Sequence, residues 1–467
     1  MSTEILLVRC RNSLIKGPSE TAVTGVYPPL GLAYIASALR KAGFKVKILD
    51  LQVSKMSLQD TEKLFRREKP LIVGITAITL GWPDVIKMAR WTKKILPKSL
   101  LVVGGPHLSM YPEESLSFDF IDVGICGEGE ETMVELAQKY IYNRAIDNIK
   151  GIVVKKFKKI IINPPRGPIE NVDKLSFPAF DLLQYRKYWA LGVQSPFFTM
   201  ITGRGCPYRC TFCYQDPLAR YRQRSAISVV EEFEIYIKKY GAKELIVFDD
   251  TFTVDRQRVL EICRLIRIRN LNFKWNIRTR ADLIDEELLR NLKKAGCYSL
   301  HIGVESGEQK ILDAMNKGIT ISQIKQAFKL ANNLGFETRG YFMIGYLGED
   351  SKTIRKTIDF SKELDLDWAS FTVTIGHPKT ELYESALKNG VLKDDYWKNY
   401  TLGKMNNQPP YFPTDEYNEK RLNQMKNWAY LSFYLSPVFL LSKFLSVRML
   451  RQIRHLISIS LRILFET

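Results

Sequence analysis

At 467 residues the chain is long enough for two or three domains, each with its own core. Its 69 Lys and Arg against 50 Asp and Glu leave a net charge of +19, which suggests an acidic partner: nucleic acid, an anionic membrane surface, or a phosphorylated or carboxylated substrate. Seven cysteines, three of them between Cys206 and Cys213, argue against a disulfide framework and for a metal site in a reduced, cytoplasmic setting. The opening MSTEILLVRCRNSL lacks the pattern of a secretion signal, and no run reaches the roughly 20 apolar residues of a membrane span.

Residues 1–145 alternate β-branched runs with amphipathic segments. The runs are Ile5–Val8, Lys45–Leu49, Leu71–Ile75, Leu100–Val103 and Ile121–Ile125; the helical patterns include Gly31–Ala42, Pro83–Leu96 and Glu130–Tyr142. This alternation predicts a doubly wound, Rossmann-like (flavodoxin-like) parallel sheet. A ligand then belongs beyond the carboxyl ends of the strands. The residues there are Arg9-Cys10-Arg11, Thr76 to Thr79, Gly104-Gly105-Pro106-His107 and Gly127-Glu128-Gly129-Glu130. Three of these loops are small, Gly-rich or hydroxylated, so backbone can approach a large flat ligand.

Residues 146–195 read as a connector, with a short strand pair (Gly151–Lys156, Lys159–Ile162) and several prolines. From 196 to 400 six strand patterns recur: Phe198–Thr202, Glu244–Phe248, Lys274–Ile277, Ser299–Gly303, Glu337–Phe342 and Ser370–Thr374. Six βα units in this length predict a partial (β/α)6 TIM-type barrel. The region 401–467 reads as a helical tail. An aromatic, apolar run (Trp428, Tyr430, Phe433, Tyr434, Phe439, Leu440, Leu441, Phe444, Leu445) precedes Arg448, Arg451, Arg454 and Arg462.

The densest chemical signal is Gly203-Arg204-Gly205-Cys206-Pro207-Tyr208-Arg209-Cys210-Thr211-Phe212-Cys213-Tyr214. It follows a strand, in the loop position where barrel active sites sit. Three thiolates within eight residues can wrap one face of a cubane cluster and leave one iron open for chemistry on a bound ligand. Zinc with a fourth ligand elsewhere is the competing use of such thiols, but Cys-x3-Cys-x2-Cys with an aromatic before the last Cys is unusual for zinc.

These residues resemble the radical S-adenosylmethionine (SAM) superfamily. The resemblance implies a 4Fe-4S cluster on Cys206, Cys210 and Cys213, whose open iron chelates SAM; one electron then cleaves SAM to a 5′-deoxyadenosyl radical. It implies an external electron donor of flavodoxin or ferredoxin type. By the same resemblance, Phe212 sets backbone that contacts the adenine. Asp249 and Asp250, in Phe248-Asp249-Asp250-Thr251-Phe252, lie near the methionine amino group, and Arg280 meets its carboxylate. Glu305 and Ser306, in Gly303-Val304-Glu305-Ser306-Gly307, approach the ribose or methionyl end. Gly345 opens Gly345-Tyr346-Leu347-Gly348-Glu349, which parallels the family's Gly-x-Pro-Gly-Glu with Leu347 in place of proline. Pro378-Lys379-Thr380 stands where relatives often carry Pro-Gly-Thr.

The first domain is similar to the cobalamin-binding domain that precedes the radical core in one large subfamily, through Pro28-Pro29-Leu30-Gly31-Leu32-Ala33 and the two Gly-rich loops. The likeness places cobalamin against Thr76, Thr79, Gly104, Gly105, His107, Gly127, Glu128 and Gly129, with His107 at the rim. The family's Asp-x-His-x-x-Gly falls at Asp50–Lys55, where Gln52 replaces histidine and Lys55 glycine, so no histidine from this motif ligates cobalt. A tRNA methylthiotransferase shares the domain order but needs three N-terminal cysteines. Here there are Cys10 and Cys126 only. A non-catalytic cobalamin-binding module is the other alternative.

The tail fits either a helix lying in a membrane interface or one packing on the barrel. With the resemblance to magnesium-protoporphyrin monomethyl ester cyclases and lipid-acting relatives, the interfacial reading implies methylation or oxidative cyclisation of an unactivated carbon in a hydrophobic small molecule, a lipid or tetrapyrrole. It implies peripheral contact with the inner membrane face and no nucleic acid.

Overall fold

Runs of Val, Ile and Leu form five parallel strands in the N-terminal half: β1 (Ile5–Arg9), β2 (Val46–Asp50), β3 (Ile72–Thr76), β4 (Leu100–Gly104) and β5 (Val123–Ile125). In the computed structural model, which describes residues 3–11, 25–157, 159–190, 192–405, 411–412, 417–437 and 439–440, their spatial order is β2-β1-β3-β4-β5. That is the flavodoxin-like order, with the topological switch between β1 and β3. β1, β3 and β4 are buried nearly throughout because helices cover the sheet, which explains their continuous apolar runs. Leu32, Ala36 and Leu39 of helix Leu30–Lys41 and Met133, Leu136 and Ala137 of helix Gly129–Ile141 fill the core against Ile5, Leu7 and Val102.

The described residues fall into two compact units, drawn from Met1–Thr21, Gly25–Trp189 and Asp395–Asn407, and from Ala22–Thr24, Ala190–Asp394 and Gln408–Thr467. These limits differ from the expected boundaries in two places. The segment read as a connector supplies β6 (Ile152–Lys156) and β7 (Lys159–Ile162), which extend the first sheet antiparallel from β5. Near residue 400 the chain returns to the first unit through helix Tyr396–Thr401, whose Trp397 is fully buried. The Trp82 indole donates to the Thr401 carbonyl at 2.8 Å, and Tyr400 donates to the Leu80 carbonyl at 3.2 Å.

In the second unit β8 (Phe197–Met200), β11 (Glu244–Val247), β12 (Lys274–Thr279), β13 (Cys297–Glu305), β14 (Glu337–Ile344) and β15 (Trp368–Val373) pair in parallel, in sequence order. Helices alternate with them, giving the six-unit partial barrel. A two-stranded pair, β9 (Gly203–Arg204) and β10 (Arg222–Gln223), stands beside it. One sheet face meets helices: Trp275 contacts Phe233 of helix Ala226–Tyr240. The register places Arg278, His301, Arg339 and Tyr341 on the opposite, concave face.

Helix Glu419–Tyr434 covers the edge strand β15. Tyr434 donates its hydroxyl to the Ala369 carbonyl (3.0 Å) and accepts from the Ala369 N–H (3.2 Å); Tyr430 does the same at Phe371 (3.2 and 3.1 Å). Two phenols thus occupy backbone groups that an edge strand leaves open. Of the two readings of the aromatic run, packing on the barrel holds for Phe433, Tyr434 and Phe439, whose rings meet tilted or edge-on. Leu441, Phe444, Leu445 and the arginines at 448, 451, 454 and 462 lie outside the described residues. No described helix is long and apolar enough to cross a membrane. Tyr434→Phe, which strands two buried backbone groups, should cost about 1–3 kcal/mol and lower the melting temperature by several degrees in calorimetry.

Candidate functional site

The thiols sit on a loop closed at its base. β9 and β10 pair across it, Arg204 opposite Arg222 and Gly203 opposite Gln223. Gly205 has φ +79°, and a Cβ there would stand 2.8 Å from the Arg220 carbonyl, so only glycine lets the two arms approach. Asp249, 2 % exposed, accepts from both the backbone N–H and the hydroxyl of Thr202 and faces Arg258 at 3.8 Å. Arg258 donates to the carbonyls of Thr202 (3.0 Å) and Arg224 (3.1 Å), one at each end of the loop. Further out, Thr211 donates its N–H to Met315, accepts from Leu382, and shares a 2.7 Å hydroxyl contact with Tyr346.

Cys206, Cys210 and Cys213 lie within electrostatic reach of one another. Burial pushes the Cys213 thiol up to about 11, with Asp250 and the neighbouring cysteines adding to it. Burial also raises Cys210, opposed by Lys317 and Arg280. Among the described residues no three His, Cys, Asp or Glu side chains converge as a single-ion site requires. A cubane has its irons at separate corners, so its thiolates need not meet at one point, and three soft sulfurs on one loop fit an iron–sulfur cluster. The cations Lys317 and Arg280 beside Cys210 compensate the negative charge such a cluster brings.

The residues expected around SAM divide into two groups. Phe212 lies 5.9 Å from the Lys317 ammonium; Lys317 pairs with Glu305 at 2.9 Å; and Arg280 lies over the Tyr208 ring at 3.7 Å, all near the thiols. Glu305 is held at φ +68° where the β13–β14 register shifts. Arg280 is already engaged: it forks onto Asp282 (3.0 and 3.1 Å) and donates to the Lys317 carbonyl at 2.6 Å. Asp250 is exposed and in reach of Cys213 and Arg278. The second group faces inward. Asp249 clamps the loop base. Ser306 is fully buried, sharing a hydrogen bond with the Thr357 hydroxyl and accepting from the Glu308 N–H. Gly345 is buried, and its N–H donates to Glu349 at 2.7 Å. Lys317 carries no motif signal to single it out beforehand; it is brought in by the turn after helix Gln309–Ala314.

In the first unit Thr76 ends β3 and Thr79 follows it, flanked by the exposed apolar side chains of Ile78 and Leu80. Gly104 ends β4. Gly105, at φ +110°, lies so close to Ala77 that a Cβ would stand 2.6 Å from its carbonyl oxygen. Gly127 is exposed, Gly129 opens a helix, and Glu128 accepts from the Ile169 N–H at 2.7 Å. His107 departs from expectation. The turn at Gly105 sends it into the core, fully buried, 4.5 Å from Trp82 and 3.3 Å from the Thr401 hydroxyl. Burial drops its pKa to about 3, so it is a neutral packing residue and not part of a rim. Of the cobalamin motif's positions, Asp50 is buried, accepting from Tyr188 (2.8 Å) and from the N–H of Gln52 (2.9 Å), the residue that stands in the histidine's place, and pairing with Arg9 (3.3 Å).

A flavodoxin-like sheet with an open apolar lip, and a partial barrel with a three-thiol loop after its first strand, define a radical SAM enzyme with a B12-binding domain. The radical SAM superfamily pattern matches residues 200–361 and the B12 binding domain pattern residues 21–137. An uncharacterized methyltransferase of Pyrococcus horikoshii is 35% identical, over 92% of this chain and 93% of its own. The anaerobic magnesium-protoporphyrin IX monomethyl ester cyclase of Rubrivivax gelatinosus is 29% identical, over 90% of this chain and 76% of its own. The methyltransferase TsrM of Kitasatospora setae, solved with cobalamin and a [4Fe-4S] cluster, shares the fold at a TM-score of 0.69, with 21% identity over 83% of this chain and 78% of its own. The chain belongs to the B12-binding radical SAM enzymes, a family of methyltransferases and cyclases whose cofactors are a 4Fe-4S cluster, SAM and cobalamin.

Two substitutions test the electrostatics. Lys317→Met leaves the buried Glu305 carboxylate unpaired and should cost about 3–5 kcal/mol; adding Glu305→Gln should recover most of it in a urea-denaturation cycle. Burial pushes Glu349 up to about 7, from 4.5 in an unfolded chain. A raised acid stabilises the fold fully below about pH 4.5, and that contribution is lost as pH rises through about 7. Glu349→Gln should therefore flatten the pH dependence of stability between 5 and 8, gaining on the unsubstituted protein at the alkaline end.

Proposed function

We propose that Cys206, Cys210 and Cys213 hold the 4Fe-4S cluster and that the enzyme methylates, or oxidatively cyclises, an unactivated carbon of a hydrophobic small molecule such as a lipid or tetrapyrrole. The observation that carries the cluster assignment is the three-thiol loop clamped by Asp249 and Arg258 at the mouth of the barrel. When bound, the cluster and SAM supply a 5′-deoxyadenosyl radical, and cobalamin supplies a methyl group or assists oxidation.

The chain's own residues do the rest. Phe212, Arg280, Lys317, Glu305 and Asp250 would form the polar surround in which SAM is oriented: Lys317 and Arg280, still paired with Glu305 and Asp282, would set positive charge near its carboxylate, and Asp250 negative charge near its ammonium. Thr76, Thr79, Gly104, Gly105, Gly127, Glu128 and Gly129 frame the cobalamin face, where Ile78 and Leu80 offer apolar surface to a flat macrocycle. His107, fully buried against Trp82, would not be among the residues holding cobalamin. Methyl transfer is the first reading, supported by likeness to the Pyrococcus methyltransferase; ring closure is the second, supported by the cyclase. An electron donor of flavodoxin or ferredoxin type completes the cycle.

Anaerobically reconstituted protein with dithionite and SAM should release 5′-deoxyadenosine. Cys206→Ala, Cys210→Ala and Cys213→Ala should each abolish the cluster's absorbance and that product together. Turnover surviving in all three would overturn the assignment. Comparing lipids and pigments with and without the gene separates the outcomes: a gain of one methyl mass marks transfer, a loss of two hydrogens marks cyclisation.

A further inference from the structure

The concave face of the barrel carries a row of cations that the cluster and SAM assignments leave unused. Register alone sets it: Arg278 pairs with His301, His301 with Arg339, and Arg339 with Trp368, so four neighbouring strands bring these side chains level on one face. Aromatic rings close the row at both ends. The Arg278 guanidinium lies 4.4 Å from the Phe248 ring and that of Arg339 lies 5.3 Å from Trp368. One rung nearer the strand ends, Tyr341 contacts His301 Nδ1 at 2.9 Å. Arg278, His301, Arg339 and Tyr341 all keep accessible surface although protein surrounds them, as residues on the wall of an internal space do.

The acids nearby have partners of their own. Glu244 accepts from the Tyr298 hydroxyl and the Gln194 N–H, and Glu337 accepts from the Trp368 indole, one rung deeper. Asp250 is in electrostatic reach of Arg278. Yet Arg278 forms no hydrogen bond or ion pair with any described residue. His301 adds no charge to the row: burial first, then Arg339 and Arg278, hold its pKa far below the usual range. The Arg278 guanidinium, set against an aromatic ring with its donors unspent, is suited to a planar or tetrahedral oxyanion.

We infer that the substrate of this enzyme carries a carboxylate, phosphate or phosphonate group, bound inside the barrel by Arg278 and Arg339 with help from Tyr341, and that this anion orients its apolar body toward the thiol loop. The inference rests on the radical SAM reading and names the substrate class within it: an amphiphile with an acidic end. Arg278 and Arg339 are binding and specificity residues, apart from the cluster ligands.

The test uses reconstituted holoenzyme and three four-carbon probes: butylphosphonate, butyrate and the uncharged 1-butanol. Calorimetric titration should show the two anions binding, more weakly as salt rises, and 1-butanol not binding. Arg278→Met should weaken the anions at least tenfold, and Arg278→Lys, which keeps the charge and loses the fork, by less. In both variants the cluster's absorbance and the melting temperature should match those of the parent, which shows that the barrel is folded. Equal binding of anions and alcohol, or anion affinity unchanged in Arg278→Met, overturns the inference while leaving the cluster assignment in place. Absence of 5′-deoxyadenosine from the parent protein defeats that assignment, while the titration still decides whether the row binds anions.

Discussion

A buried ion pair fixes the loop that carries the three thiols. Asp249 and Arg258 are almost free of solvent contact, and neither is paired with a mobile surface group; together they grip Thr202 and, through Arg258, Arg224. Burial raises the Asp249 pKa, and the Thr202 bonds and the Arg258 charge oppose that rise. Such a pair adds little net stability, since desolvation consumes most of its attraction, but it is intolerant of losing either member. Its value here is geometric. Twenty-odd residues between Thr202 and Arg224 contribute only one short ladder of their own, and three thiols on an unclamped loop of that length would rarely lie together. Thr211, tied to Met315, Leu382 and Tyr346, holds the far end.

Much of this was legible in the sequence because periodicity and spacing are local. The strands were placed within a few residues, since buried parallel strands read as unbroken apolar runs. The Cys-x3-Cys-x2-Cys loop needs no tertiary information to be noticed. Helix Leu58–Glu68 escaped because it buries only Thr61, Phe65 and Glu68, too sparse for a periodic pattern; the Ser57–Asp60 capping box was the signal that could have found it. The harder cases turn on direction. His107 follows a Gly-Gly-Pro turn at a strand end, where a rim residue is expected, and only the dihedrals of Gly105 show that it points into the core. Asp249 and Asp250 are adjacent and chemically alike. Strand alternation sends one to the loop base and leaves the other open, and the partner that decides the matter, Thr202, is 47 residues away. The tail was ambiguous for a related reason: aromatic residues suit a lipid interface and a sheet edge equally well, and only the hydroxyl partners of Tyr430 and Tyr434 distinguish them.

Both units follow one rule of parallel α/β architecture, that ligands gather at the carboxyl ends of strands, but they apply it with different materials. The first offers short apolar and glycine surface beyond β3, β4 and β5, suited to a broad ligand held by contact area. The second offers charge. Lys317, Arg280, Arg278 and Arg339 lie along or above a single concave face, so part of the chain's large positive excess is directed inward and is not spread over the exterior.

The return of residues 395–407 to the first unit bears on how the protein is made. Trp397 and Thr401 complete a core whose other walls, Trp82 and His107, are synthesised some 300 residues earlier. At a ribosomal pace of about 5–20 residues per second, the nascent first unit waits roughly a quarter of a minute to a minute without these two residues. During this interval the Trp82 indole lacks the carbonyl it donates to. Closure of the N-terminal core therefore marks near-completion of the barrel's own chain, a built-in order of assembly in which the first domain is sealed only after the second has been translated.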